Sequence, residues 1–75
     1  MDSSDSGYTE SQIKEKVLKH AELAEKDVKH FDVDIEYDNG RKVYDVDFIS
    51  GDMEYSYKLD GQTGEILEHE KENND

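Results

Sequence analysis

The dipeptide Asn39-Gly40 constrains the fold of this chain more than any other feature, because it separates two segments in which apolar and polar residues alternate. A two-residue hairpin of type I′ needs positive φ at both central positions, which Asn and Gly adopt readily. Closing the hairpin there pairs apolar residues on one face: Ile35 with Tyr44, Val33 with Val46, and Phe31 with Phe48. A slip of one residue would place these side chains against aspartates instead.

A second reversal at Gly51-Asp52 fits a type II′ turn, in which Gly occupies the first central position. This turn also pairs apolar residues on one face: Phe48 with Tyr55, Val46 with Tyr57, and Tyr44 with Leu59. Both turns, assigned independently, therefore predict the same apolar face. Such agreement favours a three-stranded antiparallel meander.

An amphipathic helix precedes the strands. Thr9 followed by Gln12 fits a capping box, and the apolar pattern predicts a helix over residues 10–24 or 10–25. Its apolar stripe consists of residues at helical spacing: Ile13, Val17, Ala21 and Ala24. Because this stripe and a one-faced sheet each need a partner layer, we expect the helix to cover the apolar face.

The last part of the pattern is a turn, Asp60-Gly61-Gln62-Thr63-Gly64, and a short fourth strand over residues 65–69, whose register stays open. The sequence thus predicts an α+β fold, with one N-terminal helix packed on one face of a 3–4-stranded antiparallel meander sheet. We expect a disordered tail at residues 1–7, a single domain at 8–69 and a disordered acidic tail at 70–75. Every glycine outside residues 1–7 lies in a predicted turn. The predicted turn residues are Asn39, Gly40, Gly51, Asp60, Gly61, Thr63 and Gly64.

Charge restricts the partners. The chain has 9 basic and 21 acidic residues, and its net charge of −12 argues against nucleic acid and anionic lipid as partners.

No stretch approaches the ~20 apolar residues of a membrane helix, so we expect no membrane insertion by this segment. Met1 precedes no signal-peptide pattern. The absence of Cys excludes disulfides and thiolate metal sites, and we expect a monomer.

The predicted register also crowds acidic residues on the outer face of the sheet. Asp32 would lie opposite Asp47, and Asp34 opposite Asp45, although like charges directly opposite each other are unfavourable. Three interpretations remain open for these four aspartates: a solvated face, a docking surface for a basic protein partner, or a loose site for divalent cations.

Catalytic chemistry finds no support in the sequence. The hydroxyl side chains fall mostly in the tail, the helix cap and the turns, and His20, His30 and His69 share no metal-ligand spacing. Neighbouring carboxylates on an open sheet have no pocket to separate their pKa values. We therefore expect no catalytic residues, no cofactor and no bound metal, and predict that the protein is not an enzyme.

A family resemblance rests on two strands and a turn. The segment Tyr44-Asp-Val46-Asp-Phe48, then Tyr55-Ser-Tyr57-Lys-Leu59-Asp60-Gly61-Gln-Thr63-Gly64-Glu-Ile66, resembles the PepSY domain. The hallmark of that family is a Y-x-V-x-F strand followed by a tyrosine-rich strand that ends in Asp, a small residue and x-T-G-x-I. The helix is richer in Lys and Glu than the family pattern and has Ile13 where Ala is common. The resemblance spans about residues 9–70.

The resemblance implies a function that the residues alone do not. PepSY domains occur in propeptides of secreted thermolysin-like metallopeptidases, in a spore-germination protein and in free-standing secreted or membrane-anchored bacterial proteins. The expected function is therefore a non-enzymatic binding module that regulates or inhibits a secreted peptidase, with an extracellular or cell-envelope location. The alternative is a structural or sensory module of a larger envelope protein without inhibitory activity. No single residue carries a family activity.

Overall fold

A computed structural model describes residues 7–73. The elements follow one another in this order: helix α1 (Glu10–Ala21), a short 3-10 helix (Glu25–Asp27), and strands β1 (Lys29–Asp38), β2 (Arg41–Ser50), β3 (Met53–Asp60) and β4 (Ile66–Asn73). Each strand pairs antiparallel with the next, so the sheet order is β1-β2-β3-β4. The predicted α+β fold with an antiparallel meander is confirmed, and the sheet has four strands.

Both hairpins close as the sequence predicts. Asn39 has φ 57° and Gly40 has φ 80°, as a type I′ turn requires, and Gly51 has φ 62°. The predicted partners of the straight part of the sheet are all observed: Val33 with Val46, Ile35 with Tyr44, Val46 with Tyr57, Tyr44 with Leu59, and Phe48 with Tyr55. The turns therefore sort the side chains between the two faces of the sheet.

The first strand departs from the predicted register at its start. Between Lys29 and Asp32 the pairing shifts by one residue, and His30 adopts a left-handed conformation with φ 55°. This is a β-bulge, which inserts one unpaired residue and lets the strand bend. The predicted direct pair of Phe31 with Phe48 is replaced by ring stacking, with centroids 5.3 Å apart. The apolar contact survives although the ladder is interrupted.

The helix begins where the sequence predicts and ends earlier. Thr9 Oγ1 accepts a hydrogen bond from Gln12 N, and Gln12 Oε1 accepts one from Thr9 N, which completes the capping box. At the other end Glu22 is left-handed, with φ 61°, and donates its N–H to Leu18 O and Lys19 O. Leu23 N also donates to Leu18 O, which closes a Schellman motif. The predicted extension to residue 24 or 25 is therefore wrong.

The fourth strand is longer than predicted. Residues 70–73 continue the ladder with β3 as far as Met53, so the ordered part does not end at His69. These polar residues have no apolar alternation, but a solvated edge strand needs none because its partner strand supplies the hydrogen bonds. Of the tails predicted at residues 1–7 and 70–75, residues 1–6 and 74–75 lie outside the described residues.

One apolar cluster joins the helix to the sheet. Its buried members come from α1, β2 and β3: Ile13, Val17, Tyr44, Val46, Phe48, Tyr57 and Leu59. Ile13, Val17, Val46 and Leu59 have no exposed surface. Because burial of such side chains supplies most of the folding free energy, this layer carries the stability of a small domain.

The left-handed Glu22 offers a test of the helix end. Glu22→Gly should raise the free energy of unfolding by about 0.5–1 kcal/mol, because Gly avoids the clash of a Cβ atom at positive φ but adds unfolded-state entropy. Urea unfolding followed by circular dichroism measures the change. Glu15→Gly, in the exposed interior of α1, is the control and should lower stability by about 1 kcal/mol. Equal losses in both variants would contradict the observed helix end.

Candidate functional site

The outer face of the sheet, opposite α1, carries closely packed carboxylates. Asp32 lies opposite Asp47, and Asp34 opposite Asp45, as the sequence predicts. These two rows continue onto β3, where Asp47 pairs with Ser56 and Asp45 with Lys58. The structure therefore brings the four predicted aspartates together on the neighbouring strands β1 and β2.

Strand β4 widens this surface. Its register places Glu68 opposite Lys58, Glu70 opposite Ser56, and Glu72 opposite Glu54. We call the combined surface the acidic face, and it comprises Asp32, Asp34, Glu36, Asp45, Asp47, Glu54, Glu68, Glu70 and Glu72. The sequence analysis missed the part on β4, because the turn before that strand left its register open.

Charge crowding affects the protonation of Asp45. Partial burial raises the pKa of this carboxyl group above its usual value, and the negative charges of Asp47 and Glu36 raise it further. Lys58 acts in the opposite direction but does not cancel these effects. The neighbouring Asp47 is stabilised locally, because Ser56 Oγ donates a 2.8 Å hydrogen bond to Asp47 Oδ1. Ionisation of Asp45 is thus less favourable in the folded protein than for a solvated aspartate.

The acidic face is open rather than enclosed. A shallow depression of about 260 Å³ lies over Asp45, Asp47, Lys58, Glu68 and Glu70. Within residues 7–73, no group of three or more His, Asp or Glu side chains has an arrangement that could hold a metal ion. Carboxylates spread over an open sheet suit contact with a cationic surface better than they suit a reaction that needs excluded water.

The turn at residues 60–64 is the second predicted group. Asp60 Oδ1 accepts hydrogen bonds from Gln62 N (2.8 Å) and Thr63 N (3.2 Å), while Thr63 Oγ1 accepts one from Glu65 N (3.2 Å). The two bonds to Asp60, with a contribution from Arg41, hold the pKa of the Asp60 carboxyl group below its usual value. These side chains form the hydrogen bonds of the turn, as the sequence predicts.

The same turn also holds Tyr8, which precedes α1. Tyr8 N donates to Gly61 O (2.8 Å), and Tyr44 Oη donates to Tyr8 O (2.7 Å). A Cβ atom on Gly64 would overlap the ring of Tyr8, and Gly64 has φ 76°. The glycines of this turn therefore serve close packing as well as backbone conformation, which the sequence analysis did not predict. The hairpin turn at Asn39-Gly40 lies at this end of the sheet and the Gly51 turn at the opposite end.

Two histidines that share no metal-ligand spacing in the sequence meet on the helix side of the sheet. A 3.0 Å hydrogen bond joins His20 Nδ1 and the Tyr57 hydroxyl group, and the ring centroids of His20 and His69 are 5.3 Å apart. Tyr57 and His69 are direct partners in the β3–β4 ladder, which the open register concealed. His30, by contrast, lies in the β1 bulge.

Comparison with known proteins places these features in a family. The sequence model described as PepSY, peptidase propeptide and YPEB domain, matches residues 7–70. A curated protein of Streptococcus pyogenes serotype M6, named uncharacterized protein Spy1430, is 34% identical over 64 residues, which cover 85% of this chain and 49% of that protein. The chain thus spans about half the length of the curated relative that it matches. No solved structure matches.

Charge crowding on the acidic face predicts a stabilising double substitution. Asp34→Asn with Asp45→Asn should leave the fold intact and raise the free energy of unfolding at pH 7 by a few tenths to about 1 kcal/mol. Because the pKa of Asp45 is raised in the folded state, the gain should shrink as the pH falls through that raised value. Thermal unfolding from pH 7 to pH 3 measures both effects.

Asp60→Asn is the control, and its expected effect on stability has the opposite sign. Because folding lowers the pKa of Asp60, the ionised carboxyl group stabilises the folded state at a pH above its usual pKa. This stabilisation is lost as the pH falls through the pKa of the folded state. Asp60→Asn should therefore destabilise the protein at pH 7.

For the wild type, the melting temperature should rise from low to moderate ionic strength. A double variant that unfolds, or a flat salt dependence, would contradict the crowding.

Gly64 and Gly40 form a matched pair that tests the packing of Tyr8. Both have positive φ, but a Cβ atom on Gly40 has no neighbour within 4 Å, whereas one on Gly64 meets the Tyr8 ring. Gly40→Ala should therefore lower stability by about 1–2 kcal/mol through backbone strain alone. Gly64→Ala should lower it by at least about 1 kcal/mol more, because overpacking adds to that strain. Equal losses in urea unfolding would show that Tyr8 does not pack on this turn.

Proposed function

The chain belongs to the PepSY family, and from this premise we propose that it is a non-catalytic regulatory module that binds and restrains a secreted peptidase. The observation that carries the proposal is the family match over residues 7–70, since the family description names the peptidase propeptide. A propeptide-type domain acts by contact with its enzyme and needs no catalytic groups of its own. The absence of an enclosed pocket around the acidic face is consistent with this role.

We propose that the contact includes the acidic face and, within it, Asp32, Asp34, Asp45 and Asp47 of β1 and β2. In the free protein these carboxylates lie opposite one another as like charges, and burial together with the charges of Asp47 and Glu36 raises the pKa of Asp45. A partner with lysine or arginine at its rim would neutralise the repulsion when it binds. The same charges would attract such a partner over a distance and increase the association rate at low salt.

The proposed location is outside the cytoplasm. PepSY domains are typically extracellular or associated with the cell envelope. Among residues 7–73 there is no helix with the length and apolar character that crossing a bilayer requires. We propose that the domain meets its peptidase at the bacterial cell surface.

A structural or sensory role within a larger envelope protein is the second candidate. It is favoured by one observation: the similarity covers 49% of the Streptococcus protein, so the same domain there has other sequence beside it. In that case the domain would connect or sense without inhibiting an enzyme.

An inhibition assay tests the proposed function. Secreted metallopeptidases of the encoding organism are each incubated with the domain, and we expect micromolar or tighter inhibition of at least one. Changing Asp32, Asp34, Asp45 and Asp47 to Asn should weaken that inhibition at least about tenfold, because it removes the charge that attracts a basic rim. The control removes four charges elsewhere, with Glu15→Gln, Glu22→Gln, Asp52→Asn and Glu65→Gln, and should change inhibition less than about twofold.

The outcomes of this assay distinguish the inhibitory function from the structural role, and they test contact through the acidic face separately. Undiminished activity of every peptidase would contradict the inhibitory function and favour the structural role. Inhibition that both quadruple variants retain equally would support the function but contradict contact through the acidic face. Loss of equal size in both would indicate a dependence on net charge rather than on this surface.

A further inference from the structure

Strand β1 forms one edge of the sheet. Within residues 7–73 it pairs with β2 and has no strand on its other side. Alternate backbone N–H and C=O groups of an edge strand point away from the sheet and can pair with a further strand. The bulge at the start of β1 limits the regular part to residues 32–38, which is about 23 Å of ladder.

The side of β1 that faces α1 carries an incompletely covered apolar row. Lys14 extends over Phe31, with Nζ 5.0 Å from the ring centroid, and Val33 is half-buried. Farther along the strand, Ile35 is 43% exposed and Tyr37 is 72% exposed. Ile13 and Val17 of α1 join the buried cluster of β2 and β3, and neither Ile35 nor Tyr37 is among the side chains packed against that cluster. Apolar surface therefore continues to the open edge.

The other side of β1 is uniformly acidic. Asp32, Asp34 and Glu36 alternate with the apolar row and are exposed at the margin of the acidic face. A strand added at this edge would meet two different surfaces, apolar on the side of α1 and anionic on the opposite side.

The other edge of the sheet lacks this arrangement. After Ile66 and Leu67 at its start, β4 bears His69 and Lys71 on the helix side and Glu68, Glu70 and Glu72 on the outer side. Charged side chains on both faces oppose the addition of an apolar strand, which is a common protection of edge strands. The two edges therefore differ in what they can accept.

We propose that the edge of β1 binds an extended peptide segment in which apolar residues alternate with lysine or arginine. The segment adds to the sheet as a fifth strand over residues 32–38. Its apolar side chains pack beside Val33, Ile35 and Tyr37, and its basic side chains lie next to Asp32, Asp34 and Glu36. The inference rests on the proposed function, because it specifies the partner chemistry at one margin of the acidic face.

Charge selects this occupant over a second copy of the chain. Two β1 strands paired edge to edge would bring Asp32, Asp34 and Glu36 of both copies to the same face. Like charges on neighbouring strands are unfavourable, and the acidic face already contains such pairs. A cationic strand relieves the repulsion, whereas a second copy adds to it.

The probe is a synthetic eight-residue peptide of alternating lysine and valine, titrated into the ¹⁵N-labelled full chain at low salt. We expect amide shift changes confined to β1 and to neighbouring residues of β2, and slower hydrogen exchange of β1 amides when the peptide is bound. A peptide of alternating glutamate and valine is the matched ligand control, and its apparent Kd should be at least about tenfold weaker.

A pair of variants locates the binding edge. Ile35→Lys places a charge in the apolar row of β1, and Leu67→Lys makes the same kind of change on β4, where Leu67 is 38% exposed. The Ile35→Lys variant should bind the lysine-valine peptide at least about tenfold more weakly, whereas Leu67→Lys should change the affinity less than about twofold. Circular dichroism of both variants establishes that they fold.

Several results would overturn the inference. These are no binding at millimolar peptide, shift changes on β4 or α1, equal affinity of both variants, or a dimer in sedimentation analysis that Ile35→Lys disrupts. The proposed function is tested separately in the inhibition assay. Peptide binding at β1 without inhibition of any peptidase would support the edge site and contradict the proposed function. Inhibition that Ile35→Lys leaves unchanged would support the proposed function and contradict the edge site.

Discussion

The whole arrangement depends on the register that two tight reversals impose on three strands. Asn39-Gly40 and Gly51 adopt positive φ, and the hairpins they close place Val46 between Val33 and Tyr57. Because side chains alternate between faces, one register decides both surfaces at once. Apolar side chains meet the helix on one face, and aspartates meet aspartates on the other. Core formation and charge crowding therefore have the same cause.

This coupling explains how a polar chain of 75 residues with a net charge of −12 folds. The apolar residues are few, but most of those in β2 and β3 reach one cluster with Ile13 and Val17. The turn at residues 60–64 adds a second anchor, since Gly61 O accepts the Tyr8 N–H and Gly64 leaves room for the Tyr8 ring. The unfavourable charges are left at the surface, where solvent screens them and a cationic partner can neutralise them.

Sequence reasoning predicted the parts of the fold that short-range conformational rules control. The two hairpins, the helix start at Thr9 and the facing aspartates of β1 and β2 follow from such rules. Three features followed no sequence signal: His30 in the bulge, Glu22 at the helix end, and the register of β4. Left-handed His and Glu are uncommon, and a turn such as residues 60–64 has several geometries. As a result the sequence did not predict the acidic residues of β4 or the contact of His20 with His69. It did predict the facing aspartates of β1 and β2.

The chain is a PepSY domain, and the surfaces that we propose for its contacts follow from the register. Nuclear Overhauser spectroscopy on the uniformly ¹³C,¹⁵N-labelled chain tests that register most directly. With this register we expect contacts from the Val46 methyl groups to the Val33 methyl groups, to the Tyr57 ring and to Val17 of the helix. A spectrum in which Val46 contacts neither Val33 nor Tyr57 would contradict it.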